Sequence, residues 1–350
     1  MMSEPVSVVD VENLKGYYQT KYFGIEREVR AVDDITMSVR RNEIYGLAGE
    51  SSSGKTTLIK FLAGAVRPPL ELVDGSVTYH LPRGDVDLFA ADDAEVEAIR
   101  WSNLSYIMQG SMSLLNPVRR IRTTFQDFAL RPMGLPKREF WAAVEAHLQR
   151  LELPVNVLSA YPHQLSGGMR QRATIALATV CRPDFVIADE PTTALDVVVQ
   201  KDVLAMLRDV QREIGSSVVF VTHDMSVHAA IADRVGIMYA GRLVEEAPTS
   251  TLFTRPSHPY TAHLVGSLPR IGDTTPKAAL EGRPPNLAEP PAGCRFHPRC
   301  PLAIERCATE APPLDAVGPD HRTACWRSDD VEPLVSLDDR TPVPSRSEAR

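Results

Sequence analysis

A short run of small residues ending in lysine and threonine has the spacing of a phosphate-binding loop. Residues 49–56 read Gly-Glu-Ser-Ser-Ser-Gly-Lys-Thr and fit the pattern G-x-x-x-x-G-K-[ST], although a Gly/Ser-rich turn can match this pattern by chance. In such loops the backbone amides surround phosphate oxygens, the lysine reaches the β- and γ-phosphates, and the threonine hydroxyl coordinates Mg²⁺. We therefore expect a nucleoside triphosphate to contact Gly49, Glu50, Ser51, Ser52, Ser53, Gly54, Lys55, Thr56 and Thr57.

The residues on either side of this loop predict the strand and the helix that it requires. Residues 43–48 read as a short buried strand, and residues 57–62 read as the first turns of a helix. A loop between them points its amides to the positive end of the helix dipole, where phosphate is stabilised. The context favours a functional loop over a chance match.

Two adjacent carboxylates follow a second predicted strand, at residues 185–188. Asp189 would hold Mg²⁺, mostly through water, and Glu190 would polarise the water that attacks the γ-phosphate. Such a pair can also cap a strand or face solvent in a loop. The functional interpretation is favoured because Mg-ATP chemistry needs a carboxylate on a strand beside the phosphate loop.

A second glycine-containing segment, Leu-Ser-Gly-Gly-Met at residues 165–169, precedes a predicted helix. Its glycines leave backbone amides open, and the serine adds a hydroxyl donor. Ser166, Gly167 and Gly168 therefore predict another anion-binding helix start.

The pattern of apolar residues predicts the α/β elements that would position these segments. Two short apolar runs, 185–188 and 217–221, are typical of central parallel strands, and residues 95–165 are helical in pattern. Strand-like segments suited to antiparallel pairing are 6–11, 29–39, 76–80 and 85–89.

Composition excludes several classes of protein. The chain has 350 residues, 43% of them apolar, and a formal net charge of -7, so it can bury a large core and lacks the basic surface of a nucleic-acid-binding protein. Its longest apolar run, residues 173–181, is far shorter than the roughly 20 residues that cross a bilayer. No signal peptide is recognisable at the N-terminus, so we expect a cytoplasmic protein that a protein partner can hold at a membrane.

Taken in order, the motifs resemble the nucleotide-binding subunit of an ATP-binding cassette (ABC) transporter over roughly residues 6–247. The resemblance implies that Gln109 senses Mg²⁺ and water, that Asp196 lies in the D-loop, and that His223 contacts the γ-phosphate. It also implies that Tyr18, or otherwise its neighbour Tyr17, stacks on adenine. Taken alone, these residues would be a surface amide, a loop carboxylate, a strand-end histidine and ordinary strand tyrosines. The implied catalytic residues are Glu190, His223, Gln109 and Lys55, with Thr56, Gln109 and Asp189 at the Mg²⁺.

The same resemblance implies an α/β fold of the P-loop NTPase type. An ABC ATPase core carries an antiparallel β-subdomain, a helical subdomain and a small C-terminal extension that contains cysteines. In this family two cassettes pair head to tail. Each ATP lies between the phosphate loop of one cassette and, from the other cassette, the segment that corresponds to Leu-Ser-Gly-Gly-Met at 165–169. We place the β-subdomain with the first part of the core at 1–94, the helical subdomain at 95–165, the second part of the core at 166–247, the extension at 248–335 and a disordered tail at 336–350.

One position departs from the commonest form of the phosphate loop. Ser52 stands where related transporters usually have glycine. If this position needs a positive φ, serine adds strain on the order of 1 kcal/mol or more. The other glycines, the lysine and the threonine remain, so we expect an effect on affinity or rate and not the loss of the site.

Two further segments resemble the dipeptide/oligopeptide importer subfamily, namely 116–117 (Asn-Pro) and 255–261 (Arg-Pro-Ser-His-Pro-Tyr-Thr), which leads to Ser267-Leu268-Pro269. The implied protein is the ATP-hydrolysing subunit of a peptide importer at the cytoplasmic face of the membrane. Its partners would be a second cassette, two membrane permeases and an extracytoplasmic solute-binding protein. Nickel or oligosaccharide cargo is one alternative. A soluble ABC ATPase of translation or repair is another, although the chain has neither a second cassette nor coiled-coil arms.

Four of the five cysteines lie in the C-terminal extension, at Cys294, Cys300, Cys307 and Cys325. In a cytoplasmic protein, clustered thiols are more often metal ligands than disulfides, and four thiolates can hold Zn²⁺ or a [4Fe-4S] cluster. The spacing lacks the C-x2-C pair usual in zinc sites, and the resemblance to peptide importers implies an iron-sulfur cluster. We therefore expect [4Fe-4S], with zinc as the alternative, in which His297 or His321 could substitute; four unligated thiols are the remaining interpretation.

Overall fold

The computed structural model describes residues 6–331 of the chain, except residue 23, residues 111–114, residue 194 and residues 269–279. Pro269, quoted above, the D-loop residue Ala194 and the predicted tail at 336–350 lie outside the described residues. The described part is an α/β structure with an antiparallel sheet, a mainly parallel sheet and a group of helices, which confirms the predicted fold class.

Long strands with one buried face form the first sheet, which has four antiparallel members within the residues described. Val9 and Val11 of the first strand lie opposite Val39 and Met37 of the second, and all four side chains are buried. The alternation of apolar and polar residues thus sets the register, because one face of the sheet has to meet the core. The sheet order is β2-β1-β4-β5, with β1 at Ser7–Tyr22, β2 at Ile25–Arg40, β4 at Leu70–Leu81 and β5 at Gly84–Asp87.

The second sheet carries the phosphate loop and is eight-stranded in the part of the chain that the structure describes. Its order is β11-β12-β10-β9-β3-β8-β7-β6, with β3 at Ile44–Ala48, β6 at Leu104–Ile107, β7 at Phe185–Asp189, β8 at Ser217–Val221, β9 at Arg234–Tyr239, β10 at Arg242–Pro248, β11 at Asp315–Gly318 and β12 at His321–Thr323. The strands from β9 to β6 are parallel. Strands β7 and β8 are adjacent and buried along their whole length, as predicted.

Helices cover the parallel sheet and build the helical subdomain. In the described ranges they are α1 (Lys55–Leu62), α2 (Asp93–Ser102), α3 (Ile121–Met133), α4 (Lys137–Arg150), α5 (Gly167–Thr179), α6 (Val197–Ile214), α7 (Met225–Ile231), α8 (Thr249–Thr254), α9 (Pro259–Gly266) and α10 (Glu305–Thr309). Helix α4 buries one apolar face, since Phe140, Val144 and Leu148 are fully buried.

The helical interpretation of residues 95–165 was wrong at residues 104–107. This segment is strand β6, which pairs in parallel with β7 at the edge of the second sheet. The buried residues Leu104 and Ile107 at its two ends are three positions apart, a spacing that also occurs on one face of a helix. Four residues are too few to distinguish the helical period of 3.6 from the strand period of 2. Pairing with β7 decides the conformation, and it brings the residues after Ile107 to the carboxyl ends of the parallel strands.

The C-terminal extension packs against the cassette and shares its core. Strand β12 pairs with β10, and β11 pairs with β12. Phe296 is buried against Tyr239 and Tyr260, with ring centroids 5.1 and 5.4 Å away. Among the described residues, no helix is both long enough and apolar enough to cross a membrane.

Candidate nucleotide site

The loop between β3 and α1 has the backbone that the phosphate-loop pattern demands. Gly49 has φ 145°, Ser52 has φ 66° and Gly54 has φ 103°. A side chain on Gly49 would overlap the carbonyl oxygen of Met238, and one on Gly54 would overlap that of Ala31, so only glycine fits either position. The positive φ at Ser52 meets the condition under which we expected strain there.

Lys55 is buried at the start of α1, and the loop itself binds its ammonium group. Lys55 Nζ donates to the carbonyl oxygens of Gly49 and Glu50 at 2.7 and 2.8 Å and to Ser53 Oγ at 3.2 Å. Burial lowers the pKa of Lys55 to about 8, against an opposing effect of the acidic groups nearby, Glu190 first among them. A phosphate oxygen would replace these carbonyl oxygens as the partner of the ammonium and would stabilise its charge.

Asp189 ends strand β7 beside this lysine and is almost completely buried. Burial raises the pKa of Asp189 to about 6, the neighbouring Glu190 adds to the rise, and Tyr106 and Lys55 oppose it. The Tyr106 hydroxyl lies 3.4 Å from Asp189 Oδ2. A buried carboxylate whose charge is poorly compensated suits a divalent cation, and Thr56 presents its hydroxyl in the first turn of α1. These residues fit the predicted Mg²⁺ site.

Two of the other predicted catalytic side chains, Gln109 and His223, lie against Glu190. Its carboxylate accepts a hydrogen bond from Gln109 Nε2 at 2.9 Å and one from Thr193 Oγ1 at 2.9 Å, and His223 Nδ1 lies 3.1 Å away. Burial works to raise the pKa of Glu190, but the hydrogen bonds from His223, Thr193 and Gln109 lower it overall. Glu190 is therefore an anion that can orient water or accept a proton.

Glu190 itself has φ 47°, in the left-handed region that non-glycine residues seldom occupy. Such a backbone costs about 1–3 kcal/mol and persists where the surroundings enforce it, commonly at functional sites. Here its amide donates to the carbonyl oxygen of Val221 at 2.8 Å, which anchors the turn to the end of β8. With this backbone conformation, the Glu190 carboxylate lies at the end of β8, close to His223, which follows that strand.

The two tyrosines of β1 differ in how free they are to bind a ligand. Tyr17 is buried, and its hydroxyl donates to Asp33. Tyr18 lies beside α1, with its hydroxyl 3.4 Å from Thr57 Oγ1 and from Lys60 Nζ. The partly exposed ring of Tyr18 next to the phosphate loop supports it over Tyr17 as the adenine-stacking residue.

The segment at 165–169 lies apart from the phosphate loop. Ser166 caps α5, where its Oγ accepts from the Met169 amide at 3.3 Å, and Asp196 caps α6 by accepting from the Val199 amide at 3.0 Å. A side chain on Gly168 would press on Val199, so the starts of the two helices are neighbours. No described hydrogen bond joins Ser166, its two glycines or Asp196 to the phosphate loop.

Four residues at the site were missed by sequence reasoning: Thr193, Tyr106, Tyr260 and Arg299. Thr193 follows the acidic pair directly and could have been included with it. Tyr106 lies in the strand that was interpreted as helix. Tyr260 and Arg299 contact Glu50 across more than 200 residues of sequence, and no local signal marks such a contact.

The four cysteines of the extension lie near one another without forming a metal site. Burial raises the pKa of Cys325 to about 12, and the other three thiols add to this rise. In the described ranges, however, no three or more His, Cys, Asp or Glu side chains are gathered closely enough to hold a metal ion. His321 is buried against Glu245, 2.7 Å away. The expected [4Fe-4S] cluster and the zinc alternative find no support in this geometry.

Comparison with protein families gives two matches that together span most of the described chain. Residues 32–193 match the family described as ABC transporter, and residues 244–307 match the one described as Oligopeptide/dipeptide transporter, C-terminal region. The first match ends just after β7, and the second begins within β10.

Full-length relatives match over nearly all of the chain. A protein of Brucella abortus named for peptide import and ATP binding is 39% identical over 93% of this chain and 98% of its own length. The oligopeptide transport ATP-binding protein OppD of Salmonella typhimurium is 35% identical, over 95% of this chain and 97% of its own. The dipeptide transport ATP-binding protein DppD of Bacillus subtilis is 37% identical, over 92% and 95% respectively.

Among solved structures, a dimeric ATP-binding cassette in a post-hydrolysis state with ADP and phosphate has a TM-score of 0.57 and 24% identity. It covers 69% of this chain and 98% of its own. At this level of identity the comparison shows that the two proteins share the fold of the cassette.

Proposed function

The chain belongs to the ATP-binding proteins of ABC transporters, and we propose that it is the ATP-hydrolysing subunit of an importer for dipeptides or oligopeptides. The observation that carries the proposal is the carboxylate of Glu190, held between Gln109 and His223 at the carboxyl end of the sheet that presents Lys55 and the phosphate loop. Full-length relatives named for peptide transport support the cargo class.

In this proposal hydrolysis proceeds by in-line attack of water on the γ-phosphate. Glu190 orients that water and accepts its proton, and Gln109 and His223 fix the carboxylate that does so. Lys55 leaves the carbonyl oxygens of its own loop and binds the β- and γ-phosphates. Thr56, Gln109 and Asp189 would hold Mg²⁺, which would offset the charge that develops on the phosphate oxygens. The adenine ring stacks on Tyr18.

A second cassette completes the site. The helix start at Ser166, with its open glycine amides, makes no described hydrogen bond to the phosphate loop of its own chain, and in this proposal it binds the γ-phosphate of ATP held by a partner. Asp196, next to it, would lie at the same interface. The dimer would associate with two permeases at the cytoplasmic face of the membrane, and an extracytoplasmic binding protein would deliver the peptide.

The replacement Glu190→Gln tests the catalytic role. The full complex carrying this variant should bind ATP with unchanged affinity, lose turnover by about 100-fold or more, and accumulate as a closed dimer, because the amide cannot accept the proton. Steady-state phosphate release and equilibrium ATP binding measure the two effects. Glu97→Gln, an exposed carboxylate on α2, is the matched control and should leave both unchanged. Normal turnover by the Glu190→Gln complex would contradict the assignment.

We keep a [4Fe-4S] cluster on the four thiols of the extension as a separate proposal, with zinc as its alternative. Its support is the placing of Cys294, Cys300, Cys307 and Cys325 in one short part of the sequence, and their side chains would have to draw together on binding. Anaerobic purification followed by iron, sulfide and zinc analysis decides between them. Four irons and four sulfides per chain would support the cluster, and a metal-free active protein would eliminate both metals.

A further inference from the structure

Glu50, the second residue of the phosphate loop, is bound at all three of its polar groups. Its carbonyl oxygen accepts from Lys55 Nζ at 2.8 Å and from the Ser53 amide at 3.2 Å. Its amide donates to the Tyr260 hydroxyl at 2.8 Å, and its carboxylate pairs with Arg299. Glu50 therefore links the catalytic lysine on one side to two residues of the C-terminal extension on the other.

The ion pair with Arg299 is bidentate and well shielded from solvent. Arg299 Nη1 and Nη2 lie 2.9 and 3.2 Å from the two carboxylate oxygens of Glu50, and the arginine side chain is 7% exposed. The guanidinium also donates to Tyr239 Oη at 3.2 Å and to the carbonyl oxygen of Glu281 at 3.0 Å. A planar group fixed by three partners holds the carboxylate in one place.

The other end of the loop is attached to the same extension. The Ser53 carbonyl oxygen accepts from the Gly241 amide at 2.8 Å, in the turn between β9 and β10. Arg295 donates to the carbonyl oxygen of Ala240 in that turn and pairs with the buried Asp33. Of two arginines in one short segment, Arg299 thus contacts the phosphate loop directly at Glu50, and Arg295 contacts the turn that donates to Ser53.

We infer that Arg299 and Tyr260 of the C-terminal extension are positioning residues for the nucleotide, acting through Glu50. The inference rests on the proposed ATP site. A carboxylate in a phosphate loop repels the triphosphate, and the Arg299 guanidinium neutralises it. The same contacts fix the position of the Glu50 carbonyl oxygen. The ammonium group of Lys55 has to give up its hydrogen bond to this oxygen when it binds phosphate. The extension therefore sets the affinity of the loop for ATP, besides stabilising the fold.

Equilibrium binding of Mg-ATP to the full chain tests the charge effect. Arg299→Met leaves the carboxylate of Glu50 unpaired beside the triphosphate and should raise the dissociation constant for ATP about five- to tenfold. The increase should shrink at high salt, because the repulsion is screened. Adding Glu50→Gln to Arg299→Met should restore most of the lost affinity, since the repelling charge is then gone.

Tyr260→Phe tests the backbone contact with little disturbance of the core. It keeps the ring against Tyr239 and Phe296 and removes only the acceptor of the Glu50 amide, and the dissociation constant should rise about threefold. The matched control is Arg306→Met, which removes an exposed Arg-Glu pair of the same extension and should leave ATP affinity unchanged.

The outcomes separate this inference from the proposed function. A wild-type chain that binds no Mg-ATP would overturn the proposed function. A wild-type chain that binds Mg-ATP, with Arg299→Met and Tyr260→Phe equal to it in affinity, would overturn only the positioning role. If Arg299→Met does not fold, Arg299→Lys keeps the charge and loses the bidentate contact. That variant, together with Tyr260→Phe, should then show the weaker binding, and wild-type affinity in both would refute the inference.

Discussion

Ser52 shows how a single residue can leave a motif functional but strained. Its φ of 66° is in the left-handed region, where a side chain costs about 1 kcal/mol that glycine does not pay. Ser52→Gly should raise the free energy of unfolding by about 0.5–1 kcal/mol in urea titrations, after allowance for the greater backbone entropy of glycine. Ser51→Gly is the control, because the φ of Ser51 is not positive and glycine there should only destabilise. Equal effects at the two positions would refute the strain.

Asp189 should make the stability of the nucleotide-free chain depend on pH. Its pKa, raised by burial and by Glu190 to about 6, exceeds the value near 3.8 expected in the unfolded chain, so the folded state binds the proton more tightly. Its contribution is present below pH 4 and is lost as pH rises through 6. Without Mg²⁺, Asp189→Asn should therefore be more stable than wild type at pH 7, on the order of 2 kcal/mol, and nearly equal to it at pH 4.

Urea unfolding of both proteins at the two pH values measures the Asp189 effect. Asp202→Asn, at an exposed position of α6, controls for the loss of one surface carboxylate. A difference between Asp189→Asn and wild type that stays the same at pH 4 and pH 7 would show that burial does not shift this group.

Residues could be predicted from sequence where a motif carries its own chemistry. Lys55, Glu190, Gln109 and His223 were identified by type and order, and the last three do meet in the structure. Glu50 was included only as a member of the loop. Its contacts to the extension depend on tertiary packing, which spacing along the chain does not encode.

At the scale of elements, the packing of β1 on α1 links the adenine side of the site to the phosphate side. Gly16 of β1 lies against the ring of Phe61, which is fully buried, and a side chain on Gly16 would overlap that ring. Gly16→Ala should lower the free energy of unfolding by about 1–3 kcal/mol, because the ring has no room to move. Gly318→Ala on β11, where the added methyl group would make only an ordinary van der Waals contact with His321, is the control. Wild-type stability of Gly16→Ala in urea would show that the two elements separate easily.

Long elements were predictable and very short ones were not. Strands β1 and β2 and helix α4 are long enough to show several periods of the apolar pattern. Strand β12 has three residues and β6 has four, too few to show any period. Both exist because a neighbouring strand supplies hydrogen bonds, and that neighbour is distant in sequence.

At the scale of the whole molecule, the extension and the cassette share one aromatic cluster. Phe296 from the extension is buried between Tyr239 of β9 and Tyr260 of α9. Phe296→Ala should cost about 3–5 kcal/mol, and calorimetry should show one unfolding transition shifted as a whole. Val317→Ala, exposed on β11, should change little. A cassette that melts unchanged while the extension melts separately would contradict this coupling.

The pairing of β12 with β10 also determines when the nascent polypeptide can finish folding. The outer edge of β10 stays open until Thr323 of β12, which is synthesised well after β10, has left the ribosome. An open edge of this kind is a template for pairing with another chain. Prematurely terminated products that lack β12 would therefore expose this edge and be prone to aggregate.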